Sequence, residues 1–106
     1  MASTTWSVIA DPQRRALLEL LRARPRSVGE LVSELGLSQP GTSKHLRTLR
    51  EAGLVRVRPE AQRRVYELTP APLAELDEWL APYRRFWDEQ LDALGRHLDQ
   101  HSRKEE

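Results

Sequence analysis

Between Gln39 and Arg47 the chain gathers side chains suited to reading a nucleic acid. The amide of Gln39 can pair with adenine, Arg47 or Lys44 with guanine or a phosphate, and Ser43 with either a base edge or the backbone. On a helical wheel Gln39, Ser43, Lys44 and Arg47 fan across one side, and Thr42, Leu46 and Leu49 share the other, with His45 at its margin. His45 has two readings, a packed residue that buttresses the helix or a donor to DNA. Arginines recur downstream at Arg58, Arg63 and Arg64. The candidate DNA-contacting set is therefore Gln39, Thr42, Ser43, Lys44, His45 and Arg47, joined by Arg58, Arg63 and Arg64. A solvated basic face is the bland alternative for a lone helix, so the case needs the second group of arginines.

Other chemistries fit poorly. Ser43 and His45 lie two residues apart, which on a helix points them about 200° from each other, so they form no nucleophile and base pair. With no cysteine in the chain, thiol catalysis, disulfides and thiolate metal sites are excluded, in keeping with a reducing compartment. His97 and His101 stand at i and i+4, a spacing that lets two imidazoles share one cation. They have no acid nearby and lie close to a chain end, so solvated histidines are preferred. No metal, no cofactor and no enzymatic activity are expected.

Length and composition set the frame. The chain has 106 residues, 39% of them apolar and 31% charged, which suits a single domain over 1–106. The net charge is only +1, but its distribution is uneven. From Ser38 to Arg64 seven basic residues face two acidic ones, whereas residues 70–106 hold five basic and nine acidic. Apolar runs are short, so neither a signal peptide nor a membrane span is predicted, and the expected location is the cytoplasm.

Punctuation divides the chain into the elements that must position these groups. Thr5 to Ala10 reads as a short helix, and Asp11 followed by Pro12 as a cap and first turn of a helix reaching about Arg22, with Leu17, Leu18, Leu20 and Leu21 as its apolar stripe. Ser27 and Glu30 have capping-box spacing, and Gly36 ends that two-turn helix. Ser38 caps another, running from about Gln39 to Ala52 before Gly53. Two short helices joined by so tight a link are a helix-turn-helix pattern, the second (38–53) being the recognition helix. Leu54, Val55 and Val57 then alternate with arginines. Pro59 to Gln62 interrupts, and Val65, Tyr66 and Leu68 resume, which predicts a two-stranded basic wing over 54–69. Residues 70–100 return to helical spacing, with a kink or break expected at Pro82. The expected order is α-α-α-α-β-β-α: mainly α, with a β-hairpin wing.

Three stretches carry a family resemblance. They are Ala10-Asp11-Pro12 with Arg14-Arg15 and the leucines that follow; Leu35-Gly36-Leu37-Ser38-Gln39-Pro40 leading into Ser43-Lys44-His45-Leu46-Arg47-Thr48-Leu49; and Glu51-Ala52-Gly53-Leu54-Val55. In order and spacing the chain resembles the ArsR family of bacterial winged helix-turn-helix regulators, by motif over about residues 6–69 and by layout beyond. The resemblance implies a homodimer joined through the first and last helices, whose two reading helices enter successive major grooves of a pseudo-palindromic operator and repress transcription.

The departures from the family matter too. Family metal sensors use cysteines, or Asp and His residues of the terminal helices. If Asp88 is taken as the first carboxylate, Gln90 stands where a His is needed and Lys104 where an acid is needed, with His101 alone in register. Leu80 to Leu91 resembles a metal-free subgroup often encoded beside START-like small-molecule-binding proteins.

The apolar residues Trp6, Ile9, Leu76, Trp79, Tyr83, Phe86, Trp87, Leu91 and Leu94 exceed what one small core can cover and are expected at a dimer interface. An effector pocket lined by Trp79, Tyr83, Phe86 and Trp87 is the alternative use of the aromatic group. The partners expected are double-stranded DNA, a second copy and an unidentified small-molecule effector. The function expected is a sequence-specific repressor, with its own gene among the expected targets. A protein-interaction module and a divergent metal-responsive repressor are the rival readings.

Overall fold

In the computed structural model the backbone is described for residues 2–105 and the side chains for residues 4–99. The chain divides into two compact units, Met1–Leu76 and Asp77–Glu106.

The first unit opens with α1 (Ala2–Ile9) and α2 (Pro12–Ala23). Asp11 caps α2 as its spacing predicts, its Oδ1 accepting the amides of Gln13 at 2.8 Å and Arg14 at 3.3 Å. A strand that the sequence did not announce follows, β1 (Arg26–Ser27), too short to show any alternation. Ser27 also caps α3 (Val28–Leu35) through a capping box with Glu30, and Gly36 ends that helix in the left-handed region at φ 65°. Ser38 caps α4 (Gln39–Glu51), with Pro40 in the first turn, where no amide partner is forfeited.

The wing is β2 (Val55–Glu60) and β3 (Arg63–Leu68), and β1 completes an antiparallel sheet of order β1-β3-β2. Two details differ from expectation. The order is α-α-β-α-α-β-β-α, because β1 pairs Arg26 with Tyr66 and Ser27 with Val65. Pro59 and Glu60 belong to β2 rather than to the interruption, pairing with Arg64 and Arg63. A proline is tolerated there because β2 is an edge strand, so its missing amide costs no ladder bond.

Leu17, Leu18 and Leu21 of α2, Leu31 of α3, and Leu46 and Leu49 of α4 form one core with Val8, Leu54, Val55 and Tyr66. Leu46, Leu49 and Leu31 are fully buried, so the apolar side of α4 is turned inward, which commits its other side to solvent.

The last helix is α5 (Ala71–Glu105). Of the kink or break expected at Pro82, the break does not occur, since the helix is continuous through it. Proline forfeits a single amide donor, to the carbonyl four residues back at exposed Glu78, where solvent can serve as partner; the ladder resumes on either side. Leu76, expected at a dimer interface, is buried within its own protomer, and Ile9 packs against the core. In the second unit Trp79, Tyr83, Phe86, Trp87, Leu91, Leu94 and Leu98 are all exposed, at 46–63%. Trp79 and Tyr83 stack with ring centroids 4.8 Å apart. His97 lies on this helix, and the side chain of His101 lies outside the described residues. No helix among the described residues is long and apolar enough to cross a membrane.

Candidate nucleic-acid interface

α4 presents Gln39, Ser43, Lys44 and Arg47 to solvent. Thr42 is a correction to the candidate set. It is fully buried, and its Oγ1 donates to the Ser38 carbonyl at 2.8 Å, so it serves the first turn of α4 and cannot reach a duplex. Its place beside Leu46 and Leu49 on the wheel was the signal for this. His45 is half-buried, and both its ring nitrogens face α2: Nε2 lies 2.8 Å from Gln13 Oε1, and Nδ1 accepts from Arg14 Nε at 3.4 Å. Of its two readings, this geometry is that of the packed buttress.

The wing arginines separate by strand face. Arg56 and Arg58 share Glu67, which stands opposite Arg56 in the ladder; Arg56 donates to it at 2.9 Å and Arg58 forms an ion pair with it. Arg58 also lies 3.6 Å from Glu60. Arg63 pairs with Glu30 at the start of α3, at 3.2 Å. Arg64 points to the other side of the strand. There it borders an open groove shared with Val28, Ser43, Arg47, Arg50 and Tyr66, which continues past Val57, Arg58 and Pro59.

The electrostatics of this groove follow from which cations lack a carboxylate. Lys44, Arg47, Arg50 and Arg64 enter no ion pair among the described residues, whereas Arg56, Arg58 and Arg63 each do. Glu51 lines a neighbouring hollow with Arg47 and Arg50. The carboxyl of Glu67 is held below its ordinary value, first by the hydrogen bond from Arg58 and then by that from Arg56. It is therefore a firm counter-ion for the outer wing at neutral pH. Arg50 is absent from the set that the sequence suggested. It follows Arg47 by three residues and Ser43 by seven, which on a helix places all three on one side, so the spacing could have found it.

A tight helix-turn-helix, a flanking hairpin and a groove along the second helix whose Arg47, Arg50 and Arg64 enter no ion pair among the described residues together define a DNA-binding transcriptional regulator of the winged-helix class. Residues 11–57 match the family described as bacterial regulatory protein, arsR family. The HTH-type transcriptional regulator Rv2034 of Mycobacterium tuberculosis is 43% identical over 94 residues, covering 89% of this chain and 85% of that one. SdpR of Bacillus subtilis, named a transcriptional repressor, is 26% identical over 89 residues, covering 84% of this chain and 99% of its own. The solved structure of HlyU from Vibrio cholerae superimposes with a TM-score of 0.64 at 37% identity, covering 77% of this chain and 90% of that one. HlyU is named a transcriptional activator. The chain belongs to the arsR family of bacterial regulatory proteins.

Proposed function

We propose that two copies of this chain bind a pseudo-palindromic operator and repress transcription from it. The observation that carries this reading is the exposed row Gln39, Ser43 and Arg47 on α4, running beside Arg50 and Arg64, with Arg47, Arg50 and Arg64 entering no ion pair among the described residues. Gln39 and Ser43 supply base contacts, while Lys44, Arg47, Arg50 and Arg64 hold phosphates. Arg58 and Arg63 play a lesser part, since each would have to leave a carboxylate first. Two-fold symmetry sets the reading helices about 34 Å apart, one turn of B-DNA.

The exposed apolar row of α5, with Trp6 of α1, is covered by the second copy. Seven large apolar side chains about half exposed on one helix exceed the scattered exposure normal for a monomer. The stacked Trp79 and Tyr83 belong to that packed surface rather than to an effector pocket. Repression follows the resemblance to the family and the name of SdpR; the name of HlyU makes activation the competing sign.

Footprinting on the DNA upstream of the chain's own coding sequence tests the reading. Two protected half-sites about 10 bp apart, centre to centre, are expected. Failure to retard any duplex at low ionic strength would overturn the proposal, and transcription in vitro that rises on adding the protein would favour activation. Gln39→Ala or Ser43→Ala should relax base preference, whereas Arg50→Ala should weaken all duplexes alike and reduce the salt slope by about 1.

A further inference from the structure

The join between α1 and α2 leaves carbonyls without their normal partners, and arginines fill the gap. The Val8 carbonyl would ordinarily accept the amide four residues on, but that residue is Pro12, which has none. Arg14 Nη1 donates to it at 3.1 Å. Arg15 Nη1 covers the next two carbonyls, of Ile9 at 2.8 Å and Ala10 at 3.0 Å. Only Arg14 reaches farther. Its Nε donates to His45 Nδ1 on α4, so one guanidinium holds the end of the first helix and the flank of the reading helix together.

The proton positions follow from the donors. A guanidinium can only donate, so Nδ1 of His45 accepts and the ring proton resides on Nε2. Nε2 then donates to Gln13, whose amide must present its oxygen at 2.8 Å. A single neutral tautomer satisfies both bonds, and both come from α2. Leu46 and Leu49 hold α4 to the core, and the bracket on His45 fixes its rotation about its own axis. Gln39, Ser43 and Arg47 turn with that axis.

We infer that Arg14 is a positioning residue for DNA binding: acting through His45, it ties the rotational setting of the reading helix to the carbonyl end of α1. The inference rests on the reading of α4 as the DNA-contacting helix. It gives α1 a direct line to operator recognition, so a change at the first helix reaches the base-contacting row without disturbing the core.

Fluorescence anisotropy on a duplex selected from a randomised pool by the wild-type protein, with a scrambled duplex as control, tests it. If the wild-type chain selects no sequence, the reading of α4 fails and the inference with it. If it does select one, Arg14→Gln and His45→Leu should each lower the ratio of selected to scrambled affinity about tenfold, leaving the salt slope unchanged. The double variant should lose no more than either alone, because both remove the same bracket. His45→Gln should restore the ratio, since its amide can accept from Arg14 and donate to Gln13. Gln13→Leu, which spares the α1 carbonyl, should lower the ratio too and serves if Arg14→Gln does not fold. A slope reduced by about 1 in Arg14→Gln would make Arg14 a phosphate contact instead. Additive losses, or a selectivity unchanged in His45→Leu, would likewise overturn the inference.

Discussion

Glu67 sets how much of the wing's positive charge is left uncompensated. It accepts from both Arg56 and Arg58 and is held in its charged form by them, first by Arg58. Replacing it by Gln frees two guanidiniums on the outer face of the hairpin. Glu67→Gln should therefore raise affinity for every duplex irrespective of sequence and steepen the log–log salt dependence by about 1 to 2, read by anisotropy across a salt series. The same pairings make stability acid-sensitive. Glu30 is also held below its ordinary value, chiefly by the Ser27 amide and then by Arg24. A carboxyl depressed on folding binds fewer protons in the native state than in the unfolded one, so its contribution is present above the unfolded value and is lost as pH falls through the folded one. The thermal midpoint should accordingly decline once pH drops below the ordinary carboxyl value of 4.5. That decline should be shallower in a Glu30→Gln, Glu67→Gln double variant.

At the scale of elements, three helices of the first unit have a local reason to start, each beginning at a side-chain cap: Asp11, Ser27 and Ser38. The wing is less well provided. Its turn places Ala61 at φ 57°, in the left-handed region that an L side chain adopts at a cost of about 1 to 2 kcal/mol. Glycine has no Cβ to resist that conformation. Ala61→Gly should raise stability by about 1 kcal/mol, or somewhat less because glycine also gains entropy in the unfolded chain. Urea denaturation checks the sign, and the exposed tip keeps any effect through packing small. Helix α5 makes the opposite point. Pro82 argues against continuity, yet a long run of good helix formers on both sides sustains the helix past one missing bond.

The molecule as a whole is expected to act as a pair. Trp87 and Leu91 lie in the middle of the exposed apolar row, with aromatic residues before them and Leu94 and Leu98 after. Placing a charge there leaves the core of the first unit untouched but makes burial against a second copy costly. Trp87→Glu or Leu91→Glu should shift the sedimentation mass from twice 12.3 kDa to that of one chain. Operator affinity should fall by at least tenfold while affinity for a single half-site persists, because linking two weak sites is what makes the pair tight.

The order of helices, their caps, the wing and the polarity of α4 were all legible in the residues. Caps and periodicities are local, and a local pattern needs no knowledge of what lies across the core. Family membership was equally legible, since it resides in motifs contiguous along the chain. Tertiary structure alone decided which cations remain available. Arg63 meets Glu30, thirty-three positions earlier, and His45 meets Gln13 and Arg14 across two helices. It also decided that a two-residue strand at Arg26 completes the sheet, and that Leu76 is spent inside its own protomer. Charge compensation and burial depend on distance in space, and a linear chain states only separation along itself.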